Sequence, residues 1–340
     1  MLVSDLWDEA FICYDYFMRA LVTGGTGFIG RQVVSRLLDD NHRVRIFSRG
    51  NVNADMFGNR SVEVVSGDLA DARSLIEALD GMEVLYHIGE IKNTTKAASE
   101  INLKLLREVL GQAKRQKVKR IVFISSITVS GIPSTMPADE DTVPRIILND
   151  HYTDYKRRAE KLLIENAGDV EYSIIRPAPV YGPGSRYLGR LITFIGRFGP
   201  FGIPFPGNAE NMAPLIHVGD LSSAIARAGT QPAAAGRIFN LTDGLRHSWR
   251  DFLEAIAKRL GKRLRIVPLS RVLLQLSALP LDLVSGFLGI SLDPVSYVAY
   301  FSEDLFFDNT RARNLLNWQP GNSLSEGIDD MMAFYEKKHP

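Results

Sequence analysis

The sequence predicts an α/β protein, a doubly wound parallel sheet joined to a smaller, mainly helical C-terminal lobe. Two observations lead there. Apolar runs of strand length alternate with amphipathic segments of helix length from Met18 to Ser125, and strands that read as continuous apolar runs belong to parallel sheets covered on both faces. After residue 245 strands give way to helical periodicity. The first domain is therefore drawn from 18–180 and 215–245, and the second lobe from 181–214 and 246–340, interleaved with it rather than following a linker.

Taken in order, residues 1–17 carry Asp5, Asp8, Glu9 and Asp15 but no basic residue. They lack the positive region of a secretory signal and the arginines of a transit peptide, so they read as an N-terminal extension, either from a start codon placed too early or as a dispensable appendage, on a cytoplasmic protein. Met18 is the natural first residue. ALVT at 20–23 runs as a short buried strand into a glycine turn, followed by a helix from Phe28 to Leu38. Further strands are VRIF at 44–47, VEVV at 62–65, EVLYHI at 83–88, RIVFIS at 120–125 after a long helix to Lys117, EYSIIR at 171–176 and RIFNL at 237–241. The connection from Gly131 to Asp150 exceeds ordinary loop lengths and reads as a lid over a ligand site.

Composition removes several function classes. The 340 residues are 45% hydrophobic, and 40 Lys+Arg against 39 Asp+Glu leave a formal charge of +1, so nothing global attracts nucleic acid or anionic lipid. KRQKVKR at 114–120 ends a helix, where cations oppose the macrodipole, and reads as a solvated helix end. With Cys13 as the one cysteine and no HExxH sequence, there is no internal disulfide and no expected metal centre. The apolar run at 272–290 is broken by Gln275, Pro280, Asp282 and Gly286. It reads as helices over an apolar pocket, with interfacial membrane contact as the alternative.

The glycine turn carries the first chemistry. Thr23-Gly24-Gly25-Thr26-Gly27-Phe28-Ile29-Gly30 follows a strand and opens a helix. Gly24 allows the tight turn, Gly27 lets backbone N–H groups approach a pyrophosphate, and Gly30 lets the helix pack closely on the sheet, as in a Rossmann-type dinucleotide site. Thr26, Phe28 and Ile29 complete that segment. The second strand ends at Ser48-Arg49 without a carboxylate; a ribose 2′-phosphate would meet a cation there, so NADP(H) is favoured and NAD(H) is the alternative. Asp68, in Gly67-Asp68-Leu69 after the third strand, is placed either to accept from an adenine amino group or to cap a helix.

Tyr152 and Lys156 lie four residues apart in HYTDYKRRAEKLL, on one face of a helix. A phenol with a pKa of about 10 is a poor base near neutrality. An ammonium about 4 Å away, at an effective dielectric near 20, is worth up to about 4 kcal/mol, or about three pKa units. Ser126 ends the strand RIVFIS at the sheet edge, placed to hold a carbonyl or hydroxyl beside the tyrosine. Asn102, in the preceding helix, is placed to position a water relaying protons to Lys156.

With these residues in view, the sequence resembles the extended short-chain dehydrogenase/reductase family. This group contains the NAD-dependent epimerases and dehydratases, 3β-hydroxysteroid dehydrogenase and dihydroflavonol reductase. The resemblance runs from Met18 to beyond Pro320 on TGGTGFIG, GDL at 67–69, Asn102, FISS at 123–126, Tyr152 with Lys156, IIRPAPVYGPG at 174–184, IHVGDLSSA at 216–224 and RNLLNWQP at 313–320. It implies that Tyr152 is the general acid/base, that Lys156 lowers its pKa and binds the nicotinamide ribose, that Ser126 polarises the substrate oxygen and that Asn102 completes a proton relay. Asp68, Leu69 and Pro177 join the cofactor-binding set, and a homodimer is implied.

Departures narrow the chemistry. Ser126-Ile127-Thr128 replaces the Thr-Asp-Glu of the family's 4,6-dehydratases, removing the acid and base for eliminating water. Pro179 and Ala213 stand where nucleotide-sugar enzymes commonly hold a sugar nucleotide through Asn and Arg; a diphosphate there would lose charge-assisted hydrogen bonds of roughly 1.5–3 kcal/mol each. Leu188, Phe194, Phe198, Phe201 and Phe205 suit an apolar substrate. His87-Ile88-Gly89-Glu90 replaces His-x-Ala-Ala, and Glu90 reads as solvent-facing. Leu105-Leu106 replaces Gly-Thr, and His217 reads as structural. The expected function is an NADP(H)-dependent oxidoreductase exchanging a hydride with a carbonyl or alcohol of a largely apolar small molecule. The alternatives are a sugar or nucleotide-sugar epimerase holding NAD(P) tightly and a non-catalytic dinucleotide sensor or assembly protein.

Overall fold

The computed structural model describes residues 17–338 apart from 51, 53, 59, 92–94, 149, 271, 273, 275–297 and 299. The expected extension (save Phe17) and most of the run at 272–290 lie outside the described residues. Among those described, no helix is long and apolar enough to cross a membrane.

Seven parallel strands form the central sheet: β1 Arg19–Thr23, β2 Arg43–Ser48, β3 Glu63–Ser66, β4 Val84–His87, β5 Arg120–Ile124, β6 Glu171–Pro177 and β7 Arg237–Leu241. Their order is β7-β6-β5-β4-β1-β2-β3, so the chain reverses direction across the sheet between β1 and β4, where ligands of such sheets bind beyond the carboxyl ends. The period of two divides each apolar run between two cores. Ala20 and Val22, Val84 and Tyr86, and Val122 and Ile124 face one core; Leu21, Leu85, Ile121 and Phe123 face the other. In β1, β4 and β5 both faces are buried, which is why these strands show no polar alternation.

The first core is covered by α1 (Phe28–Asp39) through Val33, Val34 and Leu37, and by α6 (Val218–Thr230) through Leu221 and Ile225. On the opposite face lie α2 (Ala72–Leu79), α3 (Lys96–Arg115) and α4 (His151–Asn166), contributing Leu75, Leu103, Leu106, Leu110 and Leu163. The departure at Leu105-Leu106 is thereby absorbed, since both side chains are buried.

Further helices among the described residues are α5 (Arg186–Phe198), α7 (Trp249–Arg259), α8 (Thr310–Leu315) and α9 (Leu324–Lys338). Beside them, Ile203–Pro206 pairs in parallel with Ile266–Leu269. The aromatic residues divide: Phe205 packs with Trp249 and Phe301, whereas Phe194, Phe198 and Phe201 are exposed, Phe201 by 78%. Those three do not form the apolar lining expected of them.

The 131–150 connection is built rather than loose. Ile132–Pro133 and Pro144–Ile146 form an antiparallel pair. Ala138 exchanges backbone hydrogen bonds with the C-terminal part of the chain, its N–H donating to Phe306 O and its carbonyl accepting from Asp308 N. A lid is not what this segment forms, because its middle is held to residues 306–308.

Candidate active site

At the carboxyl end of β1, Gly24 has φ +69°, a conformation that glycine adopts freely. A Cβ at Gly30 would stand 2.1 Å from Gly24 O, so the helix is seated on the turn itself. Gly27 is the N-cap of α1, without a side-chain cap, and the first turn has no acidic residue. Thr26 and Gly27 are exposed, and Phe28 and Ile29 half-buried. The N-terminus of α1 thus keeps its positive end open to an anion. For Gly30→Ala we expect about 1–3 kcal/mol lower stability in urea unfolding and at least tenfold weaker dinucleotide binding by calorimetry.

Arg49 extends beyond β2 as an exposed side chain, with no hydrogen-bond or ion-pair partner among the described residues. Asp68 is exposed, and its carboxylate accepts from Ala70 N at 2.9 Å. The helix cap considered for it is made instead by Asp71, which accepts from Arg73 N and Ser74 N at 3.0 and 3.4 Å. Leu69 beside it is half-buried, and Pro177 is buried at the end of β6.

The loop leaving β4 is braced from both sides. Thr23, fully buried, accepts from Ile88 N at 3.2 Å and Gly89 N at 3.1 Å, with its hydroxyl 3.1 Å from His87 Nδ1. A threonine oxygen that accepts twice has one proton to give, and His87 is able to take it. Burial first, then the charge of Lys156, holds the imidazole down to about 4, so the ring is neutral near pH 7. On the other side Asn102 accepts from Ile91 N at 2.9 Å and donates to Ile91 O at 3.0 Å. Its amide clamps this loop, a positioning task in place of the free amide that a water relay expects.

What the braced loop presents is Glu90. Its carboxylate meets Lys156 Nζ at 2.6 Å. The solvent-facing reading is therefore corrected: the carboxylate has an ammonium to meet inside the cleft. Lys156 is buried and also donates to Ile124 O at 2.8 Å. Burial works against its charged form, but Glu90, with smaller help from Tyr155 and Glu160, holds its pKa above the ordinary lysine range. Among the described residues no cluster of three His, Cys, Asp or Glu side chains is placed to hold a metal.

Helix α4 sets three polar side chains in one row. Asp150 caps it by accepting from Thr153 N at 2.9 Å, so Tyr152, Lys156 and Glu160 rise in successive turns. Lys156 Nζ lies 5.5 Å from the centroid of the Tyr152 ring. Glu160 is buried, engages Arg176 through two bonds of 2.9 and 2.7 Å, and accepts from Ser125. Of the two serines ending β5, Ser125 therefore belongs to the core.

Ser126 is the one turned to the site. Its oxygen accepts from Thr128 N at 3.3 Å and Thr128 Oγ1 at 2.9 Å, while Thr153 Oγ1 donates to Thr128 Oγ1 at 3.0 Å. With both lone pairs engaged, the Ser126 proton is left to donate to a ligand oxygen. At the carboxyl edge Ser126 is thus tied through Thr128 to Thr153 of the helix that carries Tyr152 and Lys156, Lys156 reaches the end of β5, and Asn102 holds the adjoining loop. Thr23 and Thr128 were read only as members of their motifs and Glu160 only as part of a helical segment, since nothing in local spacing marks the bonds they make. His217 caps α6 by accepting from Gly219 N at 3.3 Å, in keeping with its structural reading.

A model of the NAD dependent epimerase/dehydratase family matches residues 20–242. The 3 beta-hydroxysteroid dehydrogenase/Delta 5→4-isomerase of Mycobacterium tuberculosis is 25% identical over 346 residues, covering 93% of this chain and 90% of that protein. A UDP-glucose 4-epimerase of Mycolicibacterium smegmatis is 26% identical, covering 94% and 99%. Among solved structures, the UDP-glucose 4-epimerase of Bifidobacterium longum in complex with NAD+ and UDP superposes with a TM-score of 0.73 at 19% identity, covering 94% and 98%. With a match spanning both the glycine turn and the Tyr152–Lys156 helix, the chain belongs to the NAD dependent epimerase/dehydratase family.

Proposed function

We propose that this protein is an NADP(H)-dependent oxidoreductase acting on a carbonyl or alcohol of a largely apolar small molecule, with Tyr152 as general acid/base. The observation that carries the reading is the grouping of Tyr152, Lys156 and Ser126 at the carboxyl edge of the sheet. The chain fits the cofactor. A Cβ at Gly24 would fall 2.7 Å from Gly89 Cα, and the uncapped start of α1 offers backbone N–H groups to a pyrophosphate. Gly24, Thr26, Gly27, Phe28, Ile29 and Gly30 would hold the pyrophosphate, Asp68 and Leu69 the adenine, and Arg49 a 2′-phosphate. Lys156 and Pro177 would flank the nicotinamide end.

When bound, the cofactor supplies or accepts the hydride at nicotinamide C4. In the reductive direction Ser126 donates its proton as a hydrogen bond to the substrate oxygen and holds it beside the phenol. Tyr152 delivers the proton that the oxygen needs as its carbon is reduced. Lys156 keeps a positive charge under the phenol ring and so stabilises the tyrosinate left behind. In the oxidative direction the same groups act in reverse.

The similarity to both a hydroxysteroid dehydrogenase and a UDP-glucose epimerase leaves the substrate to be argued from this chain's own residues. Pro179 has no N–H, and its carbonyl accepts from Ile216 N at 3.2 Å. Ala213 is buried, its N–H donating to His247 O at 2.7 Å. Neither position offers a charge or a free donor to a sugar diphosphate, which supports the apolar substrate. An intact acid/base group weighs against a purely sensing role.

The cofactor preference has its own test. For Arg49→Ala we expect roughly tenfold weaker NADPH binding, the scale of one charge-assisted contact at an exposed site, with NADH changed less than about twofold. Fluorescence titration with both reduced cofactors reads this directly, and an equal loss for both would remove the 2′-phosphate argument.

A further inference from the structure

Glu90 is the group in this site that the mechanism above does not use. Its side chain is 21% exposed and points at the most buried cation of the cleft, Lys156, whose side chain is 4% exposed. The loop that carries it cannot readily carry it away: Thr23 holds Ile88 and Gly89, and Asn102 holds Ile91, so the backbone is bonded on both sides of residue 90. A carboxylate is thus built into the position where the sequence resemblance led us to expect a small neutral residue.

We propose that Glu90 is a specificity-determining residue that biases the site toward the oxidised, positively charged form of the nicotinamide cofactor over the reduced, uncharged form. The inference rests on the reading of Lys156 and Tyr152 as the groups that face the nicotinamide end of the cofactor.

The argument is one of charge balance. Lys156 alone would place an uncompensated positive charge next to the nicotinamide, and in a partly buried cleft this repels the oxidised ring. Glu90, at 2.6 Å from that ammonium, returns the pair to neutrality. The surrounding groups do not repeat the effect. His87 is neutral near pH 7, Tyr155 is pushed up to about 12 chiefly by burial, and the charge of Glu160 is already matched by Arg176. Removing one negative charge from beside the charged ring, screened at an effective dielectric of about 20, lowers the preference for that form by about tenfold. The uncharged reduced ring is indifferent to it.

The test is the ratio of two dissociation constants, for NADP+ and for NADPH, measured by calorimetry on the wild type, Glu90→Gln and Glu90→Ala. Using the ratio removes any loss of folded fraction, since an unfolded molecule binds neither form. Both variants are expected to weaken NADP+ about tenfold relative to NADPH, whose own affinity changes less than about twofold. A ratio unchanged in both variants, or one moved in the opposite direction, would overturn the proposal while leaving the oxidoreductase reading in place. Wild-type protein that binds neither form would instead overturn that reading, and this inference with it.

Discussion

Replacing Tyr152 by Phe lowers turnover by about 10²- to 10⁴-fold, the range for removing a positioned general acid/base, and leaves cofactor affinity within about twofold. The two effects separate because the substitution deletes one hydroxyl and keeps the ring. That ring lies over Lys156 at 5.5 Å, so its packing and its contact with the ammonium survive. Lys156 keeps Glu90 and Ile124 as partners, and no group proposed to hold the cofactor is touched. Initial rates with a carbonyl substrate, set beside a calorimetric titration of NADPH, check both halves. A mutant with wild-type turnover would contradict the assignment of the base.

Glu160→Ala is expected to cost about 3–5 kcal/mol of stability, read as a lower midpoint in urea unfolding with little change in slope. Removing one partner of a buried ion pair costs more than the pair contributes, because the other charge stays behind without compensation. Arg176 is buried and loses two charge-assisted bonds at once, and Ser125 loses its acceptor. This network joins α4, β5 and β6 directly beneath Lys156 and Ser126, so the destabilised variant also loosens the site. Glu160→Gln, which keeps an acceptor for Ser125, is expected to be milder. Equal stability of the alanine variant and the wild type would show that Arg176 finds another partner.

How far the sequence was legible depends on the reach of each interaction. The strands of the central sheet could be read because burial on both faces writes itself into consecutive residues, as in ALVT and RIVFI. The glycine turn could be read because Gly27 and Gly30 answer to a contact within a few residues, each against Gly24 O. Tyr152 and Lys156 were legible by helical spacing.

Glu90 was visible as a departure, yet its partner was not, because 66 residues separate it from Lys156 and only the pairing of β4 with β5 brings the loop after β4 to the helix that carries Lys156. Asn102 was picked out as a candidate, but the backbone it grips lies 11 residues before it, outside its helix. The 131–150 connection misled for the same reason, since what holds it lies near residue 307. Phe194 and Phe198 carry the apolar spacing of a buried stripe, and spacing alone does not say what stands opposite.

The measurement that tests the central claim most directly follows a deuterium from C4 of labelled NADPH during turnover of an apolar ketone. The account predicts one deuterium at the carbinol carbon of the product for each cofactor oxidised, with both lost together in Tyr152→Phe. Interconversion of sugar isomers without net cofactor oxidation, and no label passed to any carbonyl, would contradict it and favour an epimerase.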